Sequence, residues 1–179
     1  MFATAWSFAL WLPVLALWCG LLCWQDARTR RLPNWLTLGG AAMALAVRAL
    51  AAGTPSAVEG FAAAALAGGV MLLPFLARGA GAGDVKLMFA AGAVVGWRGL
   101  FEFLLLTSVA GVVFGMGMIL FGYLDHGRVK HYLRSLFDWR YDRRAGRAAL
   151  LSPDSEKARL PFAIPVSIGL LAVVAMGWT

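Results

Sequence analysis

The sequence predicts an all-α fold: a polytopic membrane bundle of about six helices with a basic, amphipathic cytoplasmic loop between helices five and six. Three observations carry this. The 179-residue chain is 61% hydrophobic and 14% charged, and its mean hydropathy is +0.75. Soluble domains need a larger charged skin than that. Apolar residues gather in runs close to the length of a bilayer crossing. Basic residues collect in alternate gaps between those runs, as the positive-inside rule requires. The length suits one integral-membrane domain over residues 1–179, with its cytoplasmic loop at about 125–159.

The first apolar segment runs from Trp6 to Trp24. It has no basic n-region, and its positive charges follow it, so it is expected to be a retained helix rather than a signal peptide. The second segment runs from Trp35 to Ala52, with Arg48 near one end, where its long stem can snorkel. The third spans Ala57 to Ala77 and carries Glu59 and Pro74. The fourth, Val85 to Trp97, is short for a full crossing. The fifth covers Gly99 to Leu124, with Glu102 near its start, and the sixth covers Pro161 to Trp178.

Of the 16 Lys and Arg residues, 14 fall in or beside loops one, three and five; only Arg48 and Arg98 lie on the other side. Those three loops are therefore expected in the cytoplasm and both termini outside. The net charge of +7 is then explained by anionic lipid at the inner leaflet. Nucleic acid is not an expected partner, because there is no basic soluble domain with interleaved aromatics. In loop five, Val129, Leu133, Leu136, Phe137 and Tyr141 recur at helical spacing among basic residues, which predicts an amphipathic helix that lies on the membrane surface or, as the alternative, docks a partner or covers the site.

Metal and cofactor chemistry finds no support in the residues. Cys19 and Cys23 share one helix face and form no CxxC pair. His126 and His131 are a poor ligand pair in a basic loop. No Gly-x-Ser-x-Gly elbow is present for a serine nucleophile.

Four acids border the apolar segments: Asp26, Glu59, Asp84 and Glu102. Ionisable groups near membrane depth are costly and mark functional candidates. Glu59 and Glu102 fall on the outer side at segment ends, where water or headgroups can solvate them. Asp26 and Asp84 both fall on the cytoplasmic side. Asp26 follows the first segment in the string Asp26-Ala27-Arg28-Thr29-Arg30-Arg31-Leu32-Pro33-Asn34. Asp84 ends Gly81-Ala82-Gly83-Asp84 and starts a helix that continues through Val85 and Lys86. The glycines permit unusual backbone angles and close approach of another chain. Each acid alone has a structural explanation: Asp26 as a counter-ion to Arg28 or Arg30, and Asp84 as a helix cap. Two carboxyls brought close can share one proton and divide acid and base roles between them.

These strings resemble the type IV prepilin peptidases, GxGD-type membrane aspartic peptidases. The carriers of the resemblance are Asp26 with the following Arg-rich Leu-Pro-Asn string, Gly-Ala-Gly-Asp-Val-Lys, and the closing Leu160-Pro161-Phe162-Ala163-Ile164-Pro165. The resemblance implies that Asp26 and Asp84 are the catalytic pair. It implies that Gly81 and Gly83 shape the loop presenting Asp84 and that Asn34 has a structural role; Lys86 matches the family lysine, with tuning of the acid pair, substrate binding and anchoring to headgroups all open to it. It implies prepilin or pseudopilin substrates, no cofactor and no metal. The larger members carry a cytoplasmic insert with paired CxxC motifs and also N-methylate the product. Without that insert the chain is similar to the compact Tad/Flp-pilus type, which implies leader cleavage alone, at the cytoplasmic face of a bacterial inner membrane. Two other function classes fit the composition: a small proton or cation carrier, and a non-catalytic subunit of a pilus or secretion machine.

Overall fold

The computed structural model describes residues 5–76, 80–121 and 161–177. The described residues form five helices and no strand: α1 (Ala5–Thr29), α2 (Asn34–Leu76), α3 (Ala82–Val95), α4 (Leu100–Leu120) and α5 (Ala163–Ala175). The surface helix expected around Val129 to Tyr141, the end of the fifth segment, and His126 and His131 lie outside the described residues. The chain divides into two compact units, residues 1–111 with 161–179, and residues 112–160. In the second, the description covers the end of α4 and Phe121. Everything below concerns the first, apart from the exposed side chains at the end of α4.

The second and third apolar segments belong to one element. Gly53, at φ 81 and ψ 173, breaks α2 into two limbs, and Pro55 follows at once. In an unbroken helix Leu45 and Gly60, fifteen residues apart, would be separated by about 22 Å. Instead the Leu45 and Arg48 side chains cover Gly60. The limbs therefore fold back on each other about Gly53. A left-handed φ costs a glycine nothing, which is why the reversal fits into so few residues.

α3 packs against the second limb of α2 through small residues. A Cβ at Gly92 would stand 2.8 Å from the Ala63 carbonyl oxygen and 2.9 Å from Ala64 Cα and from Ala67 Cβ. Gly68 faces Phe89 and the Val85 carbonyl, and Phe61 meets Phe89 edge to face at 5.8 Å. Such faces let helices approach until their backbones touch. The main core gathers Leu22 of α1, Leu87 of α3, Phe103 of α4, and Val166, Leu170 and Val173 of α5, all fully buried.

α3 ends at Gly96, at φ 74, whose N–H donates to the Gly92 carbonyl at 2.9 Å. Arg48 closes this end. Its Nε donates to Ala93 O at 3.0 Å, its Nη2 to Val94 O at 3.1 Å, and its Nη1 to Ser56 Oγ across the α2 reversal at 3.4 Å. The side chain does not snorkel outward. It is drawn in by orphan carbonyls that a helix C-terminus otherwise leaves to solvent.

Among the described residues, α2 and α4 are long and apolar enough to cross a membrane, and α5 is a shorter apolar helix. α4 leaves Phe101, Val109, Val112, Val113, Met116 and Leu120 exposed. A continuous coat of large apolar side chains is the surface that lipid selects.

Candidate functional site

Asp26 is part of α1, which runs on to Thr29, rather than part of the loop. The helix stops because Arg30 turns to φ 51 and sends its N–H back to the Asp26 carbonyl at 2.9 Å. Thr29 Oγ1 fastens the turn, donating to Gln25 O at 2.9 Å. Within α1, Cys19, Leu22 and Asp26 recur at helical spacing and are all buried; Asp26 is 7% exposed. The carboxyl therefore points into the bundle from the last turn of α1, just past the apolar segment.

There it meets the start of α5. Asp26 Oδ2 accepts the Ala163 N–H at 2.9 Å. Cys23, one turn back, donates its Sγ to the Ala163 carbonyl at 3.5 Å and lies 3.3 Å from Ser167 Oγ. The first N–H groups of a helix lack internal partners, so a buried carboxyl is a suitable cap. Burial pushes the Asp26 carboxyl above its usual range; the Ala163 N–H and the charge of Arg30 pull the other way but do not win. The other arginine considered as a counter-ion, Arg28, lies over the Trp24 ring at 5.2 Å.

Asp84 occupies the third position of α3, which begins two residues earlier than the sequence suggested. Its Oδ2 accepts the Gly81 N–H at 2.8 Å, while its own N–H donates to Gly81 O at 3.1 Å. This is the backward half of a capping box. One turn further on, Leu87 and Met88 are buried, so Asp84 lies on the core-facing side of α3. Leu87 and Met88 belong to the same core cluster as Cys19 and Leu22. Each acid thus sits one turn from a residue of that core.

Loop one runs from the end of α1 to the start of α2 and touches the start of α3. Leu32 packs on the core and stands 3.6 Å from where a Gly83 Cβ would be. Gly81, at φ −88 and ψ 157, is ordinary extended backbone, and Gly83 has no left-handed φ. The unusual angles expected of this pair are therefore not used. What the glycines supply is a thin surface against which Leu32 and the Asp84 carboxyl lie.

The other two site candidates meet each other: Lys86 Nζ donates to Asn34 Oδ1 at 2.8 Å. Asn34 opens α2, whose first turn is held by Pro33 O accepting the Leu36 and Thr37 N–H groups and the Thr37 hydroxyl. From the far side, Trp18 Nε1 donates to Leu36 O at 3.0 Å, with its ring over Gly40. Glu59 is exposed, whereas Glu102 Oε2 is buried without a hydrogen-bond partner among the described residues. Solvation, expected for Glu102, does not reach that oxygen. No group of three or more His, Cys, Asp or Glu residues that could hold a metal ion occurs among the described residues.

The family model for the type IV leader peptidases matches residues 13–116, which covers Asp26, Asn34, the Gly-Ala-Gly-Asp string and Lys86. The chain belongs to the type IV leader peptidase family. Membership makes it a peptidase, and together with α2 and α4 it points to a membrane protein. No curated protein and no solved structure matches the chain. The match ends before α5, so Ala163, whose N–H caps Asp26, is a site contact that the family model does not reach. The Leu-Pro-Phe-Ala-Ile-Pro string marked this helix start in the sequence, but nothing in it specified Asp26 as the partner.

Proposed function

We propose that the protein is an aspartic endopeptidase that removes the short basic leader from Tad/Flp-type prepilins and pseudopilins, using Asp26 and Asp84 as its catalytic pair. The observation that supports this is the contact of Leu32, in the loop after Asp26, with Gly83 beside Asp84, each acid lying one turn from a residue of the core. The charge distribution supports a six-span topology in the bacterial inner membrane, with this end in the cytoplasm and both termini outside. A prepilin presents its basic leader and apolar helix at that same boundary.

Burial favours the neutral form of Asp26, which suits it to hold the proton of the pair. Its Oδ2 is occupied by the Ala163 N–H, which leaves Oδ1 for that proton. Asp84 takes a proton from water as the water oxygen bonds to the scissile carbonyl carbon. Asp26 gives its proton to the carbonyl oxygen, forming a neutral tetrahedral diol. In the collapse, Asp84 protonates the leaving nitrogen as the C–N bond breaks. A diol hydroxyl returns its proton to Asp26, which restores the pair. No metal or cofactor takes part.

The test is co-expression with a prepilin. Asp26→Asn and Asp84→Asn should each abolish the mobility shift of leader removal while the variants still insert into the membrane. Complete processing by either variant overturns the proposal.

A further inference from the structure

Lys86 and Asn34 stand 52 positions apart, yet a charge-assisted hydrogen bond of 2.8 Å joins them. We propose that this bond is a positioning clamp, holding the turn that carries Asp84 in register with the chain arriving from Asp26. The inference rests on the peptidase reading above.

Three features lead to it. First, at about 100° per residue, Lys86 lies roughly 200° around α3 from Asp84, on a different face. Asp84 shares its side with Leu87 and Met88 in the core, while the Lys86 ammonium is taken up by α2. Lys86 therefore acts on the helix rather than on the carboxyl. Second, the segment leading from Asp26 touches the first five residues of α3 twice, through Leu32 at Gly83 and Asn34 at Lys86. The first contact is apolar and can slide, whereas the second is directional and fixes register. Third, Trp18 of α1 grips the same turn of α2 through Leu36 O, so the clamp couples α3 to α1 by way of α2. An acceptor that is an amide rather than a carboxylate adds no third acid beside a pair that must share one proton. Lys86 and Asn34 are thus positioning residues, and the reaction feels them through the spacing of the two acids.

The experiment measures prepilin cleavage by the full chain in liposomes for wild type, Lys86→Met, Asn34→Ala, the double variant and Lys86→Arg. Each single variant should lower kcat by about threefold, since the bond is solvent-exposed and screened, with KM unchanged. The double variant should be no slower than either single, because one bond is lost in all three. Lys86→Arg should keep most of the activity, and the pH optimum should not move. Multiplying effects overturn the clamp. So does a shifted pH optimum in Lys86→Met that Asn34→Ala does not share, which would place Lys86 in direct contact with the acids or substrate. Amide hydrogen exchange supplies a readout independent of cleavage. Removing either partner should speed exchange in both first turns, residues 34–38 and 82–86, and unchanged exchange also overturns the clamp. Failure of wild type to cleave, or full activity of Asp84→Asn, would instead sink the peptidase reading.

Discussion

Asp26→Asn and Asp26→Ala should both abolish cleavage, yet they should differ in stability. Asp26 is 7% exposed, and its Oδ2 accepts the Ala163 N–H at 2.9 Å. Asparagine keeps an acceptor oxygen in the same place. Alanine leaves that N–H buried without a partner, at a cost of about 1–3 kcal/mol. For a chain of this size, each kcal/mol moves the midpoint by about 2–4 °C, so alanine should melt several degrees below asparagine. The pH dependence separates wild type from Asp26→Asn. The carboxyl is raised in the folded state above the 3.8 of a free aspartate. Its contribution is therefore fully present below pH 3.8 and is lost as pH rises through the folded value. At neutral pH, Asp26→Asn should be as stable as wild type or more so, and it should show less loss between acid and neutral pH. Cys19 is buried and free, so a thiol-reactive dye reports unfolding of the detergent-purified protein. If Asp26→Asn melts as low as Asp26→Ala, the Ala163 contact is not what Asp26 contributes to the fold. If wild type instead gains stability from acid to neutral pH relative to Asp26→Asn, the direction of the Asp26 shift is wrong.

Further predictions concern the scaffold. Gly92→Ala sets a methyl against backbone atoms of Ala63 and Ala64 and should destabilise by about 1–3 kcal/mol, while Gly69→Ala, which meets nothing within 4 Å, should be near neutral in the same dye assay. Arg48→Met releases the Ala93 and Val94 carbonyls and should speed amide exchange at the end of α3 more than at its start. Gly53→Ala forces a side chain into φ 81 and ψ 173, a region open essentially to glycine alone, and should cost about 1–3 kcal/mol, read as a lower midpoint with leader cleavage retained below it.

The helical class and the positions of the apolar runs were legible in the sequence, because the bilayer sets a length scale that composition must obey. The boundaries were less so. The polarity of Asp26 ends the apolar run and by itself suggests a loop, but the helix runs on through Thr29 to a left-handed Arg30. The start of α3 was placed at Asp84, since capping acids mark helix starts; here the acid reaches back from the third position to the Gly81 N–H. Arg48 was read as a snorkelling residue because a linear pattern does not reveal which carbonyls lie within its reach.

The pairing of Asp26 and Asp84 as candidates comes from the sequence by itself: charge asymmetry predicts one membrane face for both, and the flanking strings resemble a peptidase family. That much follows from local composition, since lipid and membrane charge act on every segment independently. The tertiary structure decided what each carboxyl touches. Asp26 caps α5 through Ala163, 137 residues away, and Lys86 finds Asn34, the first residue of α2, 52 positions earlier. Neither contact has a sequence pattern, because each depends on where the packing of small faces brings separate helix ends together.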